Sequence, residues 1–408
     1  MKAHEKIEKV GVVGLGYVGL PLALAAWQAG FDVYGVDVSL EKVQLINSSS
    51  SPVDDVRDEE IRLALESGRF TLSTNYSLLA NCDVVVLCVP TPLDANNAPD
   101  LNSLKSACRE LASVMKEGSL LINESTSFPG TLRNVIAPLV RELRGSESLL
   151  LAVAPERVDP GNQKWNFRNT PRVIGGLGEA ALKRTYEFYI RFCEQVIRVS
   201  SPEVAELSKL TENTYRLVNI ALVNQIANFT HKLGISMYEV LDAAESKPYG
   251  FSRFNPGLGV GGHCIPIDPM YLAWYAEVNG DNLEIIKLSQ RINEERTKFI
   301  AEMILGQHQD NDEILIWGLS YKSGIADLRE SPSIFLIEEL RKRSVQVKWY
   351  DKKISEWNGE TRSTDSTHKI LVIVHDTGDE LLTKAIGKSR TIFDLTGHYR
   401  ENPNVISI

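Results

Sequence analysis

The feature that most constrains the fold is a strand, turn, helix and strand pattern over residues 9–37. Residues 9–13 are short and apolar, like a buried strand, and a glycine-rich turn follows at 14–19. An Ala/Leu-rich helix over 21–30 leads into a second strand over 31–36. Because parallel strands need a helical crossover of about this length, the pattern predicts a parallel α/β sheet.

The turn has the glycine spacing of a dinucleotide-binding loop. Its glycines allow a tight turn and let a pyrophosphate approach the helix N-terminus, where backbone N–H groups favour negative charge. Asp37, about 20 residues further on, would accept a hydrogen bond from the adenosine ribose, and its unneutralised charge would repel a 2′-phosphate. The sequence therefore predicts NAD rather than NADP, held by Gly14, Gly16, Tyr17, Val18, Gly19 and Asp37.

Three further strand-like runs extend this sheet, and each ends in a loop of polar residues. Continuous apolar runs that alternate with helices indicate a parallel sheet covered on both faces. Open sheets of this kind bind ligands beyond the carboxyl ends of their strands. The three loops therefore belong with the dinucleotide site: Val89-Pro90-Thr91-Pro92, Glu124-Ser125-Thr126 and Pro155-Glu156-Arg157.

A long helix begins at Pro202 and runs to about Gly234. Ser201 can cap it, Pro202 suits its first position, and Gly234 suits its end. A helix of about 30 residues spans roughly 45 Å, so it could link two domains or form a subunit interface. Lys209 and Asn213 lie four residues apart and share one face, either as functional groups or as part of a solvated polar stripe.

The second half of the chain repeats the α/β pattern without a glycine-rich turn. It is expected to hold something other than a dinucleotide pyrophosphate, and residues 352–368 are interpreted as a surface loop. The predicted helix covers 331–343, and the predicted strands are 314–319, 345–351, 370–374 and 391–395.

The predicted fold is α/β, with two Rossmann-like, doubly wound parallel-sheet domains joined by the long central helix and a helical region. The expected domains are an NAD-binding domain over 1–200, a central helical domain over 201–298 and a C-terminal Rossmann-like domain over 299–408.

A glycine-rich segment over 257–269 carries the residue with the clearest catalytic chemistry. Cys264 lies within it, and Asp268 follows four positions later. A thiolate attacks carbonyl carbon well and leaves as a thioester, which suits covalent oxidation or acyl transfer. The alternative is a buried structural cysteine in a tight turn.

Composition excludes several classes of partner. The chain has 408 residues and a formal net charge of −9, which argues against nucleic acid or an anionic membrane as the main partner. The five cysteines are scattered, without disulfide or metal-ligand spacing, so we expect a reducing, cytoplasmic location and no metal site. No apolar run approaches the length of a membrane helix, and the polar start is no signal peptide.

In its motifs and their order the chain resembles the UDP-glucose/GDP-mannose dehydrogenase family over nearly its whole length. The motifs are the turn at 14–21, the helix segment Lys209-Leu210-Thr211-Glu212-Asn213-Thr214-Tyr215-Arg216, and Gly261-Gly262-His263-Cys264-Ile265-Pro266-Ile267-Asp268-Pro269. The resemblance implies oxidation of the C6 alcohol of a nucleotide sugar to a carboxylate with two NAD. It also implies a homodimer built on the central helix.

The same resemblance implies a role for each matching residue. Cys264 would attack the C6 aldehyde, and Lys209 with Asn213 would stabilise the oxyanion. Asp268 would assist proton transfer, while Glu156 and Thr126 would position or activate the hydrolytic water. His263 is interpreted as structural. Arg329 would join Pro90, Thr91 and Thr126 at the cofactor, and the substrate contacts would be Glu156, Arg157, Lys209, Asn213, Gly261 and Lys322.

Among the branches of the family, the segments 155–162, 247–251 and 263–269 look most like UDP-N-acetylhexosamine 6-dehydrogenases, the UDP-N-acetylglucosamine type in particular. A second glutamate typical of the glucose-specific branch is missing after Glu156, and Gln225 stands where glutamate is commoner. UDP-N-acetylmannosamine and UDP-glucose remain alternatives for the substrate. A two-electron hydroxyacid dehydrogenase would share the cofactor fold but have no use for Cys264, and a non-catalytic nucleotide-sugar-binding protein would keep the fold alone.

Overall fold

The computed structural model describes residues 8–145, 149–159, 161–162, 164–364, 368–402 and 404–407. The chain divides into two compact units, Met1–Thr211 and Glu212–Ile408. The boundary lies inside one helix, α7 (Pro202–Lys232). The three-domain division expected from the sequence stays a prediction, and Pro160 of the 155–162 segment lies outside the described residues.

The first unit is built on an eight-stranded sheet within the described residues. Its strands are β1 (Lys9–Val13), β2 (Asp32–Val36), β3 (Phe70–Ser73), β4 (Val84–Leu87), β5 (Leu120–Asn123), β6 (Leu150–Val153), β7 (Arg172–Gly176) and β8 (Val196–Arg198). Its helices are α1 (Gly19–Gln28), α2 (Leu40–Asn47), α3 (Asp58–Glu66), α4 (Asn102–Val114), α5 (Ala137–Arg144) and α6 (Glu179–Tyr189). A 3₁₀ turn covers Tyr76–Leu79, and a π-helical turn covers Leu132–Ile136.

Strand β1 lies in the middle of this sheet, between β2 and β4. The order is β3-β2-β1-β4-β5-β6-β7-β8, and every neighbouring pair except β6 and β7 is parallel. Every residue of β4 and β5 is buried, as continuous apolar runs in a covered parallel sheet require. The predicted α/β class is therefore confirmed.

The antiparallel strand β7 is a feature that the apolar runs did not reveal. Ala152 of β6 pairs with Gly176, and Val153 pairs with Gly175. The first residue of β7, Arg172, therefore lies at the edge of the sheet where β5 and β6 end. A buried arginine comes in this way to the edge that binds ligands in open α/β sheets.

The second unit contains a five-stranded parallel sheet in the order β10-β9-β13-β14-β15. These strands are β9 (Glu313–Trp317), β10 (Gln346–Tyr350), β13 (Ile370–Ile373), β14 (Thr391–Asp394) and β15 (Val405–Ser407). The remaining helices are α8 (Met237–Glu245), α9 (Asp268–Val278), α10 (Glu284–Gln307), α11 (Pro332–Arg341) and α12 (Glu380–Lys388).

The predicted surface loop at 352–368 is wrong in part. A short antiparallel hairpin forms there from β11 (Glu356–Trp357) and β12 (Glu360–Thr361). The Trp357 ring lies edge-on to the buried Trp349 ring, with 6.2 Å between centroids. Two apolar residues, Ile354 and Trp357, are too few to give the alternation of a strand, so the hairpin could not be predicted from the pattern. Residues 365–367 lie outside the described part of the chain.

The two sheets use the same backbone arrangement after their first strands. In the first unit, Gly14 N–H donates to the Val36 carbonyl, and Leu15 N–H donates to the Asp37 carboxylate at 2.8 Å. In the second, Gly318 N–H donates to the Tyr350 carbonyl, and Leu319 N–H donates to the Asp351 carboxylate at 2.9 Å. An aspartate at the end of the neighbouring strand thus fixes each turn.

The ends of α7 follow the sequence signals. Ser201 Oγ accepts a hydrogen bond from Val204 N–H at 3.4 Å. Gly234, two residues beyond the helix, has a φ of 68°, which glycine adopts without strain. Among the described helices none has the length and apolarity needed to cross a membrane.

Candidate active site

The glycine-rich turn of the first unit has the shape that a dinucleotide pyrophosphate requires. Gly14 has a φ of 90°, and a Cβ at Gly14 or Gly19 would collide with the neighbouring backbone. A Cβ at Gly16 would meet no atom within 4 Å, so the backbone there is open. Two glycines therefore allow the tight packing of strand, turn and helix, and the third leaves room for the ligand. Tyr17 and Val18 are half-buried in the same turn.

Asp37 lies at the end of β2, as predicted, but its charge is neutralised by a lysine, which the sequence argument did not foresee. Its carboxylate accepts hydrogen bonds from the Leu15 and Ser39 N–H groups and from Lys42 Nζ at 2.7 Å. Burial raises the pKa of Asp37, yet Lys42 and the backbone donors outweigh burial and hold the pKa below its usual value. The sequence argument missed Lys42 because a lysine one turn into a helix reads as an ordinary surface residue.

The loops after β4, β5 and β6 contain the other predicted residues of the first unit. Thr91 is buried, Pro90 is exposed and Thr126 is half-buried. Arg157 is also half-buried, and its Nη1 donates to the Pro171 carbonyl at 2.8 Å. The predicted roles of these residues at the cofactor and substrate stay predictions.

Glu156 is buried beside a fixed cation. Its carboxylate accepts hydrogen bonds from Arg172 at 3.1 and 3.2 Å and from the N–H groups of Arg157 and Val158. Burial raises the pKa of Glu156, but Arg172 and these donors outweigh burial and lower it overall. Lys209 Nζ donates to the Glu156 carbonyl at 2.5 Å. The structure thus brings together Glu156 and Lys209, and the carboxylate is ionised at neutral pH.

A second buried carboxylate ties the loop after Thr126 to α7. Glu206 accepts hydrogen bonds from Gly130 N–H at 2.6 Å and Leu132 N–H at 2.9 Å. Glu206 lies three residues before Lys209 on the same helix. Burial raises the pKa of Glu206 to about 7 despite these donors. This carboxylate fixes the start of the π-helical turn relative to the helix that presents Lys209.

In the second unit, the loop that presents Cys264 packs too closely for side chains at its glycines. A Cβ at Gly261 would lie 2.7 Å from the Glu330 carbonyl oxygen and 2.8 Å from Pro332 Cδ. A Cβ at Gly262 would lie 2.7 Å from the Tyr321 ring. Gly262 N–H also donates to the Arg329 carbonyl at 2.9 Å. The loop is therefore held against the segment between β9 and α11, which contains Lys322, half-buried, and Arg329.

Cys264 differs from the other four cysteines in its surroundings. It is exposed, whereas Cys82, Cys108 and Cys193 are buried and Cys88 is half-buried. Burial raises the pKa of Cys82 and Cys108 to about 12 and that of Cys193 to about 11, and it also raises the pKa of Cys88. Thiols with raised pKa are poor nucleophiles at neutral pH, which leaves Cys264 as the candidate.

Two polar groups accompany Cys264 within the second unit. The Cys264 carbonyl accepts a hydrogen bond from the N–H of Asp268 at the start of α9, and the buried Asp268 carboxylate accepts one from Asn213 at 2.6 Å. Arg329 is ion-paired with Asp327, which raises the Arg329 pKa, and the Cys264 thiol adds to that rise. A nearby guanidinium stabilises a thiolate.

Sequence reasoning missed the polar residues that hold the base of the Cys264 loop. Asn224 accepts a hydrogen bond from Gly257 N–H at 2.9 Å, and buried Arg296 donates to the Gly257 carbonyl at 3.0 Å. Thr297 donates to the Leu258 carbonyl at 3.1 Å. No local pattern marks such long-range contacts. The neighbouring Gln225 is exposed, and nothing in the structure explains the departure from glutamate there.

Comparison with known proteins settles the family. Models of the UDP-glucose/GDP-mannose dehydrogenase family match as the NAD-binding domain over 8–193, the central domain over 203–295 and the UDP-binding domain over 315–396. This chain belongs to the UDP-glucose/GDP-mannose dehydrogenase family.

Its relatives carry closely related names. UDP-N-acetyl-D-mannosamine dehydrogenase of Pyrococcus horikoshii is 33% identical over 392 residues, 93% of each chain. UDP-N-acetyl-D-glucosamine 6-dehydrogenase of Pseudomonas aeruginosa is 32% identical over 357 residues, 85% of this chain and 83% of that protein. A solved structure of UDP-D-ManNAc dehydrogenase from Pyrococcus horikoshii superposes with a TM-score of 0.88 and 31% identity, covering 98% of this chain and 99% of that one.

The family membership confirms two expectations from the sequence. NAD is the cofactor, and the chain is an NAD-dependent nucleotide-sugar 6-dehydrogenase with a UDP-binding domain. Among the described residues, no cluster of three or more histidine, cysteine or acidic side chains could hold a metal ion.

The Asp37–Lys42 ion pair predicts how cofactor preference responds to mutation. In Asp37→Asn the ribose loses a charged acceptor and Lys42 is left to attract a phosphate, so we expect the NAD:NADP ratio of kcat/KM to fall by about tenfold, the worth of one charge-assisted hydrogen bond. In Lys42→Ala the ratio should rise, because the Asp37 charge is then uncompensated.

The measurement is steady-state kinetics with both cofactors at one ionic strength. Glu41→Ala, an exposed neighbour on α2, is the matched control and should change the ratio by less than about twofold. A Lys42→Ala enzyme that used NADP better than the parent would contradict the role given to this ion pair.

Proposed function

We propose that this enzyme oxidises the C6 alcohol of a UDP-N-acetylhexosamine to the uronic acid through a covalent bond to Cys264. The first candidate for the substrate is UDP-N-acetylglucosamine. The observation that carries the covalent step is the contrast among the cysteines. Cys264 alone of the five is exposed, and it lies on a loop held by close backbone packing. A two-electron oxidation would need no such thiol, which disfavours a hydroxyacid dehydrogenase.

The overall reaction fixes the stoichiometry. One alcohol, two NAD⁺ and one water give one carboxylate, two NADH and three protons. NAD accepts one hydride in each of the two oxidations. The protein must therefore hold the intermediate between the two and then admit water.

Cys264 is proposed to hold that intermediate. Its thiolate forms a C–S bond to the C6 aldehyde carbon, and the carbonyl electron pair moves to oxygen. Lys209 and Asn213 donate hydrogen bonds to this oxyanion. Each donor is oriented by a hydrogen bond: Lys209 donates to the Glu156 carbonyl, and Asn213 donates to the Asp268 carboxylate. Loss of hydride from the same carbon leaves a thioester.

Water then releases the product. Its oxygen adds to the thioester carbon, the C–S bond breaks, and the electron pair leaves with the Cys264 sulfur. Glu156 is proposed to accept one proton from water, with Thr126 positioning the water, and the second proton passes to solvent. Glu156 suits this role because Arg172 and two backbone N–H groups keep it ionised and fixed in orientation.

Two sources of support bear on the sugar. The segments 155–162, 247–251 and 263–269 favour the UDP-N-acetylglucosamine type, as does the name of the Pseudomonas aeruginosa relative. Several other relatives are named for UDP-N-acetyl-D-mannosamine. Both sugars carry a 2-acetamido group and differ in configuration at C2. UDP-N-acetylmannosamine is therefore the second candidate, and UDP-glucose is the less favoured one.

A substrate panel tests the proposed sugar. With NAD in excess, UDP-N-acetylglucosamine should give the highest kcat/KM and two NADH per sugar consumed, with the uronic acid identified by mass. UDP-N-acetylmannosamine and UDP-glucose are the comparison substrates. A higher kcat/KM with UDP-N-acetylmannosamine would transfer the assignment to that sugar, and one NADH per sugar would contradict the four-electron reaction.

Removing the thiol tests the covalent step. Cys264→Ser should still bind NAD and UDP-sugar, because neither binding site depends on the thiol, but acid formation should fall by at least about 10³. Lys209→Ala should lose about 10²–10³ in rate through the lost oxyanion donor, while Cys264 remains open to alkylation.

Cys108→Ala, which changes a buried thiol on α4, is the matched control and should retain acid formation. The rates are followed by NADH absorbance and product mass. Acid formation by Cys264→Ser at a rate near that of the parent enzyme would refute the covalent role.

We also propose that the enzyme is a homodimer built on α7. Tyr215, Leu222 and Phe229 recur at every seventh residue and so share one face of the helix, and all three are more than half exposed. Ile226 extends the same face, and the exposed Leu233 follows directly after the end of the helix. A continuous apolar stripe on a long helix favours a self-complementary contact between two copies.

A charge in this stripe should separate the copies. Leu222→Glu is expected to convert a dimer to a monomer at micromolar concentration, because the carboxylate would be buried without a partner. Light scattering gives the mass. Leu143→Glu, at a leucine of similar exposure on α5, should leave the mass unchanged. A parent enzyme that is monomeric at micromolar concentration would contradict the proposal.

A further inference from the structure

We propose that Glu124 is a positioning residue for the hydrolysis step, one that shares a proton with Glu156 and so fixes the orientation and charge of the Glu156 carboxylate. The inference rests on the proposed function, because it assigns Glu156 to the hydrolytic water.

The sheet topology brings four buried polar side chains to one place. Glu124 follows β5, Glu156 follows β6, Arg172 begins the antiparallel β7 and Tyr189 ends α6. Each is at least nine-tenths buried, with Glu124 at 2% and Arg172 at 2% exposure. Charged groups this deep are stable only when they are paired with each other.

One guanidinium serves two carboxyl groups in this cluster. Arg172 donates to Glu156 at 3.1 and 3.2 Å and reaches Glu124 at 3.4 Å. Glu156 also has two backbone N–H donors, whereas Glu124 is hydrogen-bonded to the Tyr189 hydroxyl and to the Glu156 carboxyl group. The negative charge therefore belongs on Glu156, and the proton belongs on Glu124.

The electrostatic surroundings agree with this assignment. Burial raises the pKa of Glu124 to about 8, against the opposing effect of Arg172, while the pKa of Glu156 is lowered. Lys209 faces Glu156 and stabilises its charge. The other titratable groups at the cluster, Tyr189, Cys88 and Cys193, have raised pKa values and stay neutral near pH 7.

The neutral Glu124 has a definite effect on the proposed reaction. Its proton is donated to the Glu156 carboxylate, so Glu124 helps Arg172 and the two backbone N–H groups to keep Glu156 ionised and fixed while it accepts the proton of the attacking water. When Glu124 ionises, that donor is lost and the second carboxylate competes for Arg172. Hydrolysis of the thioester should then slow as pH rises through about 8.

The pH profile of acid formation tests this inference. In the parent enzyme we expect kcat to be about tenfold lower at pH 9 than at pH 7, as for a single group that must be protonated. Glutamine keeps a neutral donor at every pH, so Glu124→Gln should vary by less than about twofold over that range. Glu117→Gln, at an exposed glutamate, should follow the parent profile.

A second measurement covers the case in which another step limits kcat. Folding raises the pKa of Glu124 from 4.5 to about 8. The contribution of this group to the free energy of unfolding therefore falls as pH rises between these two values. Glu124→Gln removes that loss. The Tm of the variant relative to the parent should therefore increase from pH 5 to pH 8, whereas Glu117→Gln should show no such trend.

The outcomes separate this inference from the proposed function. If the parent enzyme yields two NADH per sugar but Glu124→Gln keeps the parent pH profile and shows no pH-dependent gain in Tm, the role of Glu124 is overturned and the covalent mechanism stands. If the parent enzyme forms no thioester on Cys264, the proposed function fails whatever Glu124 does.

Discussion

The close packing of backbone and side chains around Gly261 and Gly262 is the constraint on which the position of Cys264, the proposed nucleophile, depends. The Glu330 carbonyl, Pro332 and the Tyr321 ring occupy the space that a Cβ at either glycine would need. Any larger residue would displace the loop, and with it Cys264. The C-terminal α/β half therefore does more than supply a UDP-binding domain, since its β9–α11 segment also forms the surface against which the Cys264 loop is held.

Paired charges organise the first unit in the same way. Asp37 fixes the dinucleotide turn through the Leu15 N–H group while Lys42 balances its charge. Towards the other end of the strand order, after β6, Arg172 balances the charge of Glu156. In both places a carboxylate is held by backbone N–H groups and one cation. Little further conformational entropy is therefore lost when a ligand binds to this carboxylate. In the second unit, the Asp351 carboxylate accepts hydrogen bonds from the backbone N–H groups of Leu319 and Ser320, so an aspartate fixes the turn after the first strand in both units.

Much of this could be predicted from local sequence. Apolar runs located most of the strands but missed others, β7 among them, and glycine spacing located the dinucleotide turn. The isolated Cys264 on a glycine-rich loop is a candidate nucleophile whose role stays a prediction. What local patterns could not show are contacts between distant residues. Arg172 reaches Glu156 only because β7 runs antiparallel, and Arg296 reaches the Gly257 carbonyl across 39 positions of sequence. Glu124 stood in a predicted ligand loop, but the arginine that it shares with Glu156 lies there only because of that unforeseen strand direction.

The most direct test is to stop wild-type turnover with acid and measure the mass of the peptide that contains Cys264. A covalent mechanism predicts a fraction of this peptide carrying the uronyl group of the UDP-sugar as a hydroxylamine-sensitive thioester, with the peptides of Cys82, Cys88, Cys108 and Cys193 unmodified. An unmodified Cys264 peptide at every time of quenching, while acid is being produced with two NADH per sugar, would contradict the thioester route.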